Sequence, residues 1–225
     1  MNGRGCKGIL YFHGFASSPH SQKVTRLRDL LEPDGFVFDT PDLNVPTFEA
    51  LDFDAMIDLG VAHGRAAPPS VIVGSSLGSL IALEVARRGI DAPLVLIAPP
   101  LGMASRWITI LPDGDPISVF NHARNADAPI HRAFFERMAR VDVDRDPPLQ
   151  PVTVIIGRND ETVPFDGVLE RWREWEASGR MTKGSQFVEI PGGDHGLVEF
   201  ADVIARVIAR LAASPSATRS PAGSR

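Results

Sequence analysis

The chain has 225 residues, of which 44% are hydrophobic and 23% are charged, and its formal net charge is −5. A chain of this size and composition can bury a core as a single domain, and it is too apolar to be disordered. The negative charge and the lack of a Lys/Arg cluster argue against nucleic-acid binding, and no apolar run approaches the roughly 18 residues that a membrane span needs.

The N-terminal residues give two expectations about the cellular context. Cys6 is the only cysteine, so the chain cannot form an intrachain disulfide. The first apolar run covers only residues 9–12, which is too short for the core of a signal peptide. We therefore expect a cytoplasmic protein that does not associate with membranes.

Six short apolar runs predict β-strands, at residues 9–12, 36–38, 71–73, 94–97, 152–156 and 187–190. Their apolar residues are consecutive rather than alternating, which is typical of strands that are covered on both faces in a parallel sheet.

Five segments between and after these strands predict helices. The first runs from Ser18-Pro19 to about residue 31, and the second begins near Thr47. The other three cover about 77–88, 165–177 and 197–211. The inner face of the second helix is predicted to carry Phe48, Leu51, Met56 and Ile57. Alternating strands and helices predict an α/β fold with a doubly wound, mostly parallel sheet.

The segment between Pro99 and Pro151 is longer than a simple crossover needs. Within it, residues 107–111 and 117–120 flank Pro112-Asp113-Gly114-Asp115, which predicts a hairpin. A helix should follow, with Ile130, Phe134, Phe135 and Met138 near one face. We interpret residues 102–150 as a small cap inserted in a domain that covers 1–213, and residues 214–225 as a flexible tail.

The third predicted strand runs directly into Gly74-Ser75-Ser76-Leu77-Gly78, a Gly-x-Ser-x-Gly motif. The motif alone is weak evidence, but here a strand precedes it and a helix follows it. At such a sharp turn the central serine has a strained backbone, and its hydroxyl is lifted clear of the sheet beside the first amides of the helix. The pattern indicates that Ser76, rather than Ser75, is a nucleophile.

A serine nucleophile needs a base at neutral pH. Of the six histidines, only His195 follows the last predicted strand, in a glycine-rich loop before the last helix. A loop at the carboxyl edge of a parallel sheet is where a base can reach Ser76. We therefore predict that His195 is the base.

The acid that orients His195 should come from another strand end. The strand predicted at 152–156 leads to Asp160, whose carboxylate can hold the imidazole tautomer and stabilise the imidazolium. Glu161 is the adjacent alternative, an ordinary turn role for Asp160 is another, and Asp194 is too close to His195 in sequence to reach its ring easily. The order Ser76, Asp160, His195 is that of nucleophile, acid and base in one particular fold.

The first predicted strand ends at His13-Gly14-Phe15, where the glycine lets the following backbone approach a reacting carbonyl group. We predict that the amides of Phe15 and Leu77 form an oxyanion hole, in which one donor lowers the barrier by roughly 3 kcal/mol. His13 itself is expected to have a structural role.

These four motifs occur in the order found in α/β-hydrolases, which the chain resembles over residues 8 to about 211. Residues 13–23, His-Gly-Phe-Ala-Ser-Ser-Pro-His-Ser-Gln-Lys, are similar to the HGF-x-SSP-x-S-x-K signature of the small bacterial YqiA-like esterases. The resemblance implies an α/β-hydrolase fold and a serine esterase without a metal or organic cofactor. It also implies Ser76, Asp160 and His195 as the catalytic triad.

The motifs together predict a serine hydrolase that cleaves small-molecule carboxylic esters with short or medium acyl chains, through an acyl-enzyme on Ser76. A thioesterase or an amide hydrolase would use the same residues, and a non-catalytic protein that binds a small ligand on the same scaffold is a further alternative. No residue cluster has the spacing of metal ligands, and no glycine-rich phosphate loop is present, so we expect no cofactor.

Apolar residues in and before the predicted cap are candidates for the lining of an acyl or leaving-group pocket: Pro99, Pro100, Leu101, Trp107, Phe134, Phe135 and Met138. Most apolar residues at helical spacing belong to the core, however. His122 and His131, also in the cap, are expected to be exposed to solvent. The sequence does not indicate an oligomeric state.

Overall fold

The computed structural model describes residues 7–103, 106 and 108–213. Its strands are β1 (Lys7–Phe12), β2 (Phe36–Asp39), β3 (Val71–Ser75), β4 (Leu94–Ile97), β5 (Ile117–Asn121), β6 (Ala126–Ile130), β7 (Val152–Gly157) and β8 (Gln186–Ile190). Six of them form a parallel sheet in the order β2-β1-β3-β4-β7-β8, while β5 and β6 form a separate antiparallel hairpin. All six predicted strands are therefore confirmed, as is the predicted α/β fold.

The helices are α1 (Gln22–Leu31), α2 (Phe53–Ala66), α3 (Leu77–Arg87), α4 (Ala133–Met138), α5 (Phe165–Ala177) and α6 (Ala201–Ala213). Successive side chains of a strand point to opposite faces of the sheet, so the apolar strands build two cores. Leu10 and Ile72 pack with α2, α3 and α5 on one face. Ile9 and Val73 pack with α1 and α6 on the other. Helices on both faces make the sheet doubly wound, and the carboxyl ends of its strands meet at one edge.

Three helices begin later than predicted. Helix α1 begins at Gln22 rather than after Ser18, because residues 18–21 form a turn in which Ser21 N donates to Ser18 O at 3.2 Å. Helix α2 begins at Phe53 rather than near Thr47, because the Asp52 carboxylate caps it by accepting hydrogen bonds from two amides of its first turn, at 2.8 and 3.0 Å. Helix α6 begins at Ala201, after a short 3₁₀ turn.

Two side chains of the predicted inner face, Phe48 and Leu51, are buried as expected, but they belong to the loop before α2. Helix α5 has the predicted bounds, and α3 ends one residue before the prediction.

The hairpin predicted around residues 112–115 is wrong. The chain reverses instead between β5 and β6, where Asn121 Oδ1 accepts a hydrogen bond from Arg124 N at 3.0 Å. Asn125 adopts a left-handed backbone there, with φ of 51°, which asparagine tolerates better than most residues. Residues 112–115 precede the hairpin, and the Asp115 carboxylate accepts a hydrogen bond from Arg132 N at 2.9 Å.

The hairpin and α4 both lie in the segment between β4 and β7 that we predict to be a cap. Phe134 and Phe135 of α4 contact Phe15, which follows β1, with ring centroids 6.0 and 5.6 Å apart. This contact brings the segment to the carboxyl edge of the sheet. The boundaries of the cap stay a prediction.

Cys6, Trp107 and the predicted tail at 214–225 lie outside the described ranges. Among the helices of the described ranges, none is both long and apolar enough to cross a membrane.

Candidate active site

Ser76 stands at the sharp turn between β3 and α3. Its backbone has φ of 53° and ψ of −123°, a conformation that is strained for a residue with a Cβ. A Cβ on Gly78 would overlap the carbonyl oxygen of Phe12, and one on Gly74 would overlap the first turn of α3. Gly74 therefore lets β3 and α3 approach each other, and Gly78 lets α3 approach the end of β1; both contacts hold this serine at the carboxyl edge of the sheet.

His195 lies in the loop between β8 and α6, and its ring reaches Ser76. Its Nε2 is 3.1 Å from Ser76 Oγ, and its Nδ1 is 2.9 and 3.0 Å from the two carboxylate oxygens of Asp160. Three side chains from separate parts of the sequence thus form one hydrogen-bonded series. With Nδ1–H donating to Asp160, Nε2 has a free lone pair that can accept the Ser76 proton.

Asp160 follows β7, and its side chain is completely buried beneath His195. Its Oδ1 also accepts hydrogen bonds from the amides of Thr162 and Val163, at 2.9 and 2.7 Å, which fix the carboxylate in place. Asp160 therefore fixes the turn after β7 and also binds the ring of His195. Glu161, the alternative acid, accepts a 3.4 Å hydrogen bond from the backbone amide of His195 and makes no hydrogen bond to its ring.

The backbone of residues 13–15 passes beside Ser76. A Cβ on Gly14 would lie 3.3 Å from Ser76 Cβ, which shows how close the two segments are. The amides of Phe15 and Leu77 donate no hydrogen bond to another described residue, so both are available to a ligand. His13 is buried; it accepts from Leu43 N at Nε2 and donates from Nδ1 to Gly14 O, at 3.0 and 2.9 Å. Its bonds to the backbone fit the structural role that we expect.

A cavity of about 880 Å³ opens beside Ser76 and His195. One wall is apolar and consists of Phe15, Met103, Leu111, Val119, Phe135 and Val163. The polar lining residues between positions 17 and 23 are Ser17, Ser18, His20, Ser21, Gln22 and Lys23. Across the described part of the chain, no group of three or more His, Cys, Asp or Glu side chains is arranged to hold a metal ion.

The predicted pocket lining is largely wrong. Among the described members of the predicted set, Phe135 alone lines the cavity, while Pro99, Pro100, Leu101, Phe134 and Met138 are buried away from it. His131 is exposed as expected and bonds to Asp115. His122 is exposed as expected, but it also lines the cavity.

Lys23, the last residue of the HGF-x-SSP-x-S-x-K segment, lines the cavity, although the sequence predicts no role for it. Its Nζ donates to Ser75 Oγ at 2.8 Å. Burial lowers the pKa of Lys23 to about 8, although the negative charges of Asp160 and Asp194 act in the opposite direction. The predicted start at Ser18 places Lys23 in the second turn of the helix, whereas in the structure it lies in the first turn of α1, where a cation opposes the helix dipole. Burial also raises the pKa of Tyr11, which neighbours Ser75.

Solved structures share this fold. A protein of Xanthomonas campestris pv. campestris, described as a hydrolase of the alpha/beta superfamily, has a TM-score of 0.57 and 24% identity, over 91% of this chain and 97% of that chain. Est1E of Butyrivibrio proteoclasticus, bound to ferulic acid, has a TM-score of 0.71 and 16% identity, over 93% and 89%. A monoacylglycerol lipase of Paleococcus ferrophilus has a TM-score of 0.65 and 18% identity, over 91% and 93%. At these identities the likeness shows the fold, which is the predicted α/β-hydrolase fold.

A search of curated proteins found no match to the sequence. Residues 8–212 do match the model of an uncharacterised protein family, UPF0227. The match covers nearly all the described residues and confirms the resemblance to YqiA-like α/β-hydrolases. The chain therefore belongs to the UPF0227 family.

Proposed function

We propose that this protein is a serine hydrolase that cleaves carboxylic esters through an acyl-enzyme on Ser76. The observation that carries the proposal is the hydrogen-bonded series from Ser76 Oγ through His195 to Asp160, with distances of 3.1 and 2.9 Å. At these distances His195 can take the hydroxyl proton while the serine oxygen attacks a carbonyl carbon.

The reaction has two halves. In the first, Ser76 Oγ bonds to the ester carbonyl carbon, His195 takes its proton, and the amides of Phe15 and Leu77 stabilise the oxyanion. The imidazolium, stabilised by Asp160, then protonates the departing alcohol oxygen and leaves an acyl group on Ser76. In the second half, His195 takes a proton from water while the water oxygen bonds to the acyl carbon. The imidazolium then gives this proton to Ser76 Oγ as the bond between Oγ and the acyl carbon breaks, which releases the carboxylic acid and restores Ser76.

The cavity supports a small ester with a short or medium acyl chain. Its volume of about 880 Å³ lies in the range of small-molecule sites. Its apolar wall offers an acyl chain a surface away from water, directly beside the serine. The monoacylglycerol lipase among the solved structures of this fold is consistent with ester cleavage.

Thioesters and amides are attacked by the same residues, so substrate preference needs its own measurement. Assays with the same acyl chain on para-nitrophenol and on coenzyme A compare an ester with a thioester. We expect the larger kcat/KM for the ester.

Labelling with a fluorophosphonate tests the nucleophile. We expect one label on the wild-type protein and none on Ser76→Ala. The control is Ser118→Ala, since Ser118 is an exposed serine of β5 outside the cavity, and this variant should label like the wild type. Folded wild-type protein that takes no label would contradict the proposal and favour a non-catalytic binding protein.

A further inference from the structure

The cavity beside Ser76 has a charge composition opposite to that of the chain. Acidic residues outnumber basic ones by 28 to 23 in the sequence, yet no Asp or Glu is among the described residues that line the cavity. Its ionisable lining consists of Tyr11, His13, His20, Lys23, His122 and His195. A pocket with an ammonium group and no lining carboxylate attracts anions.

The ammonium group of Lys23 has donors to spare. It has three N–H donors, and its one hydrogen bond within the described ranges goes to Ser75 Oγ, at 2.8 Å. No carboxylate of the described residues forms an ion pair with it. The two acids whose charges act on it have other partners: Asp160 binds the His195 ring, and Asp194 accepts from Leu197 N at 2.7 Å.

The first turn of α1 adds to the positive potential around Lys23. It contains no acidic residue, and the side chain of Ser21, which precedes the helix, makes no capping hydrogen bond. A cation in this position is unfavourable for stability, both because it is partly buried and because it opposes the helix dipole. Residues that cost stability are frequently kept for function.

Helix α1, which carries Lys23, and helix α4, which carries Phe135, pack on opposite faces of the sheet. Val24, next to Lys23, packs in the core on the α1 and α6 face. Phe135, in the apolar wall, packs in the core on the α2 and α3 face. Ser76 stands between them at the end of β3, so a substrate that spans the cavity places one end on each side of the nucleophile.

We propose that Lys23 binds an anionic group of the substrate, so that the protein prefers esters whose acyl part is apolar and whose alcohol part carries a carboxylate or a phosphate. The acyl chain lies against the wall that contains Phe135, the ester carbonyl lies at Ser76, and the anion accepts hydrogen bonds from Lys23. This proposal rests on the ester hydrolysis proposed above and specifies its substrate class.

The test uses butanoate esters of three phenols: para-hydroxybenzoate, para-hydroxyphenyl phosphate and para-hydroxybenzamide. The benzamide is a neutral analogue of the benzoate with nearly the same shape. The kcat/KM of each ester is measured for the wild type, Lys23→Met, Lys23→Arg and Arg26→Met. Arg26 is exposed on α1 outside the cavity, so its loss controls for the change in net charge.

We expect Lys23→Met to lose about 10- to 100-fold more kcat/KM for the anionic esters than for the benzamide ester. Lys23→Arg should keep most of the preference, and Arg26→Met should keep all of it. The anionic ester that loses more in Lys23→Met identifies the preferred anion. Equal losses for charged and neutral esters, or no loss for either, would overturn the proposal.

Binding of the same esters to Ser76→Ala, measured by calorimetry, separates this proposal from the proposed function. Tighter binding of an anionic ester that disappears in the Ser76→Ala, Lys23→Met double variant supports the anion site even if the wild type turns over no ester. Turnover of all three esters without any preference for an anion would overturn the anion site and leave ester hydrolysis intact.

Discussion

The backbone amide of Asn159 donates to the carbonyl oxygen of Gly193 at 2.9 Å, and so joins the loop that carries Asp160 to the loop that carries His195. The loops approach this closely because Gly157 has no side chain; a Cβ there would overlap the Gly193 carbonyl. The contact sets the position of the acid relative to the base before a substrate binds.

Gly157→Ala should push the two loops apart. We expect the free energy of unfolding in urea to fall by about 1–3 kcal/mol, because the added methyl group overpacks the contact. The kcat should fall about 100-fold, since displacement of a catalytic group by roughly 1 Å has an effect of that size. The control is Gly167→Ala in α5, where a Cβ meets no atom within 4 Å. Wild-type kcat in Gly157→Ala would contradict this role for the contact.

Asp160→Asn should reduce kcat by about 1,000- to 10,000-fold, because an amide cannot hold the His195 tautomer that accepts the serine proton. Glu161→Gln should change kcat less than about tenfold, because Glu161 contacts the backbone of His195 and not its ring. Steady-state kinetics of the two variants decide between the acids. A larger loss in Glu161→Gln than in Asp160→Asn would reverse the assignment.

The pKa of Lys23, about 8 against 10.5 for an ordinary lysine, predicts that Lys23→Met is more stable than the wild type at neutral pH. Below pH 8 the lysine is charged in both the folded and the unfolded chain, and only the folded chain must desolvate the charge. Between pH 8 and 10.5 the folded chain loses this proton first, so the stability of the wild type rises towards that of the variant.

The free energy of unfolding of Lys23→Met should exceed that of the wild type by about 1–2 kcal/mol near pH 7. This is less than the full pKa shift of Lys23 implies, because the side chain is partly exposed. Urea unfolding of both proteins near pH 7 and at pH 10.5 measures it. A difference in stability that does not shrink at the higher pH would show that desolvation of the charge is not its cause.

Asp52→Ala should lower the free energy of unfolding by about 1 kcal/mol, because two amides of α2 lose their hydrogen bonds to the carboxylate. Asp52→Asn should keep most of the stability, because asparagine caps helices equally well. Neither variant should change kcat, since Asp52 does not line the cavity. Equal losses in both variants would mean that the charge of Asp52, and not the cap, stabilises the helix.

The sheet and the turn at Ser76 could be predicted because their causes are local in sequence. A strand such as β3, buried on both faces, needs consecutive apolar residues, and the tight turn after it needs Gly74 and Gly78. The ends of β1, β3, β7 and β8 then meet at one edge of the sheet, so the positions of His195 and Asp160 follow from the parallel topology.

The hairpin and the lining of the cavity could not be predicted because they depend on contacts distant in sequence. Pro112-Asp113-Gly114-Asp115 has the composition of a turn, but Asp115 bonds to Arg132, and His131 N bonds to Glu49 O at 2.8 Å. The contact with Phe15, which follows β1, decides which face of α4 meets the cavity. The α2 cap was missed for another reason: Thr47 and Asp52 are both good capping residues, and sequence alone does not choose between them.

The acyl-enzyme can be observed by mixing the protein with para-nitrophenyl butanoate, quenching with acid at successive times and locating the butanoyl group by peptide mass spectrometry. We predict a burst of para-nitrophenol and a single butanoyl group on Ser76, with neither in Ser76→Ala. Steady turnover by a Ser76→Ala protein, or a butanoyl group that forms on another residue at the catalytic rate, would contradict the mechanism.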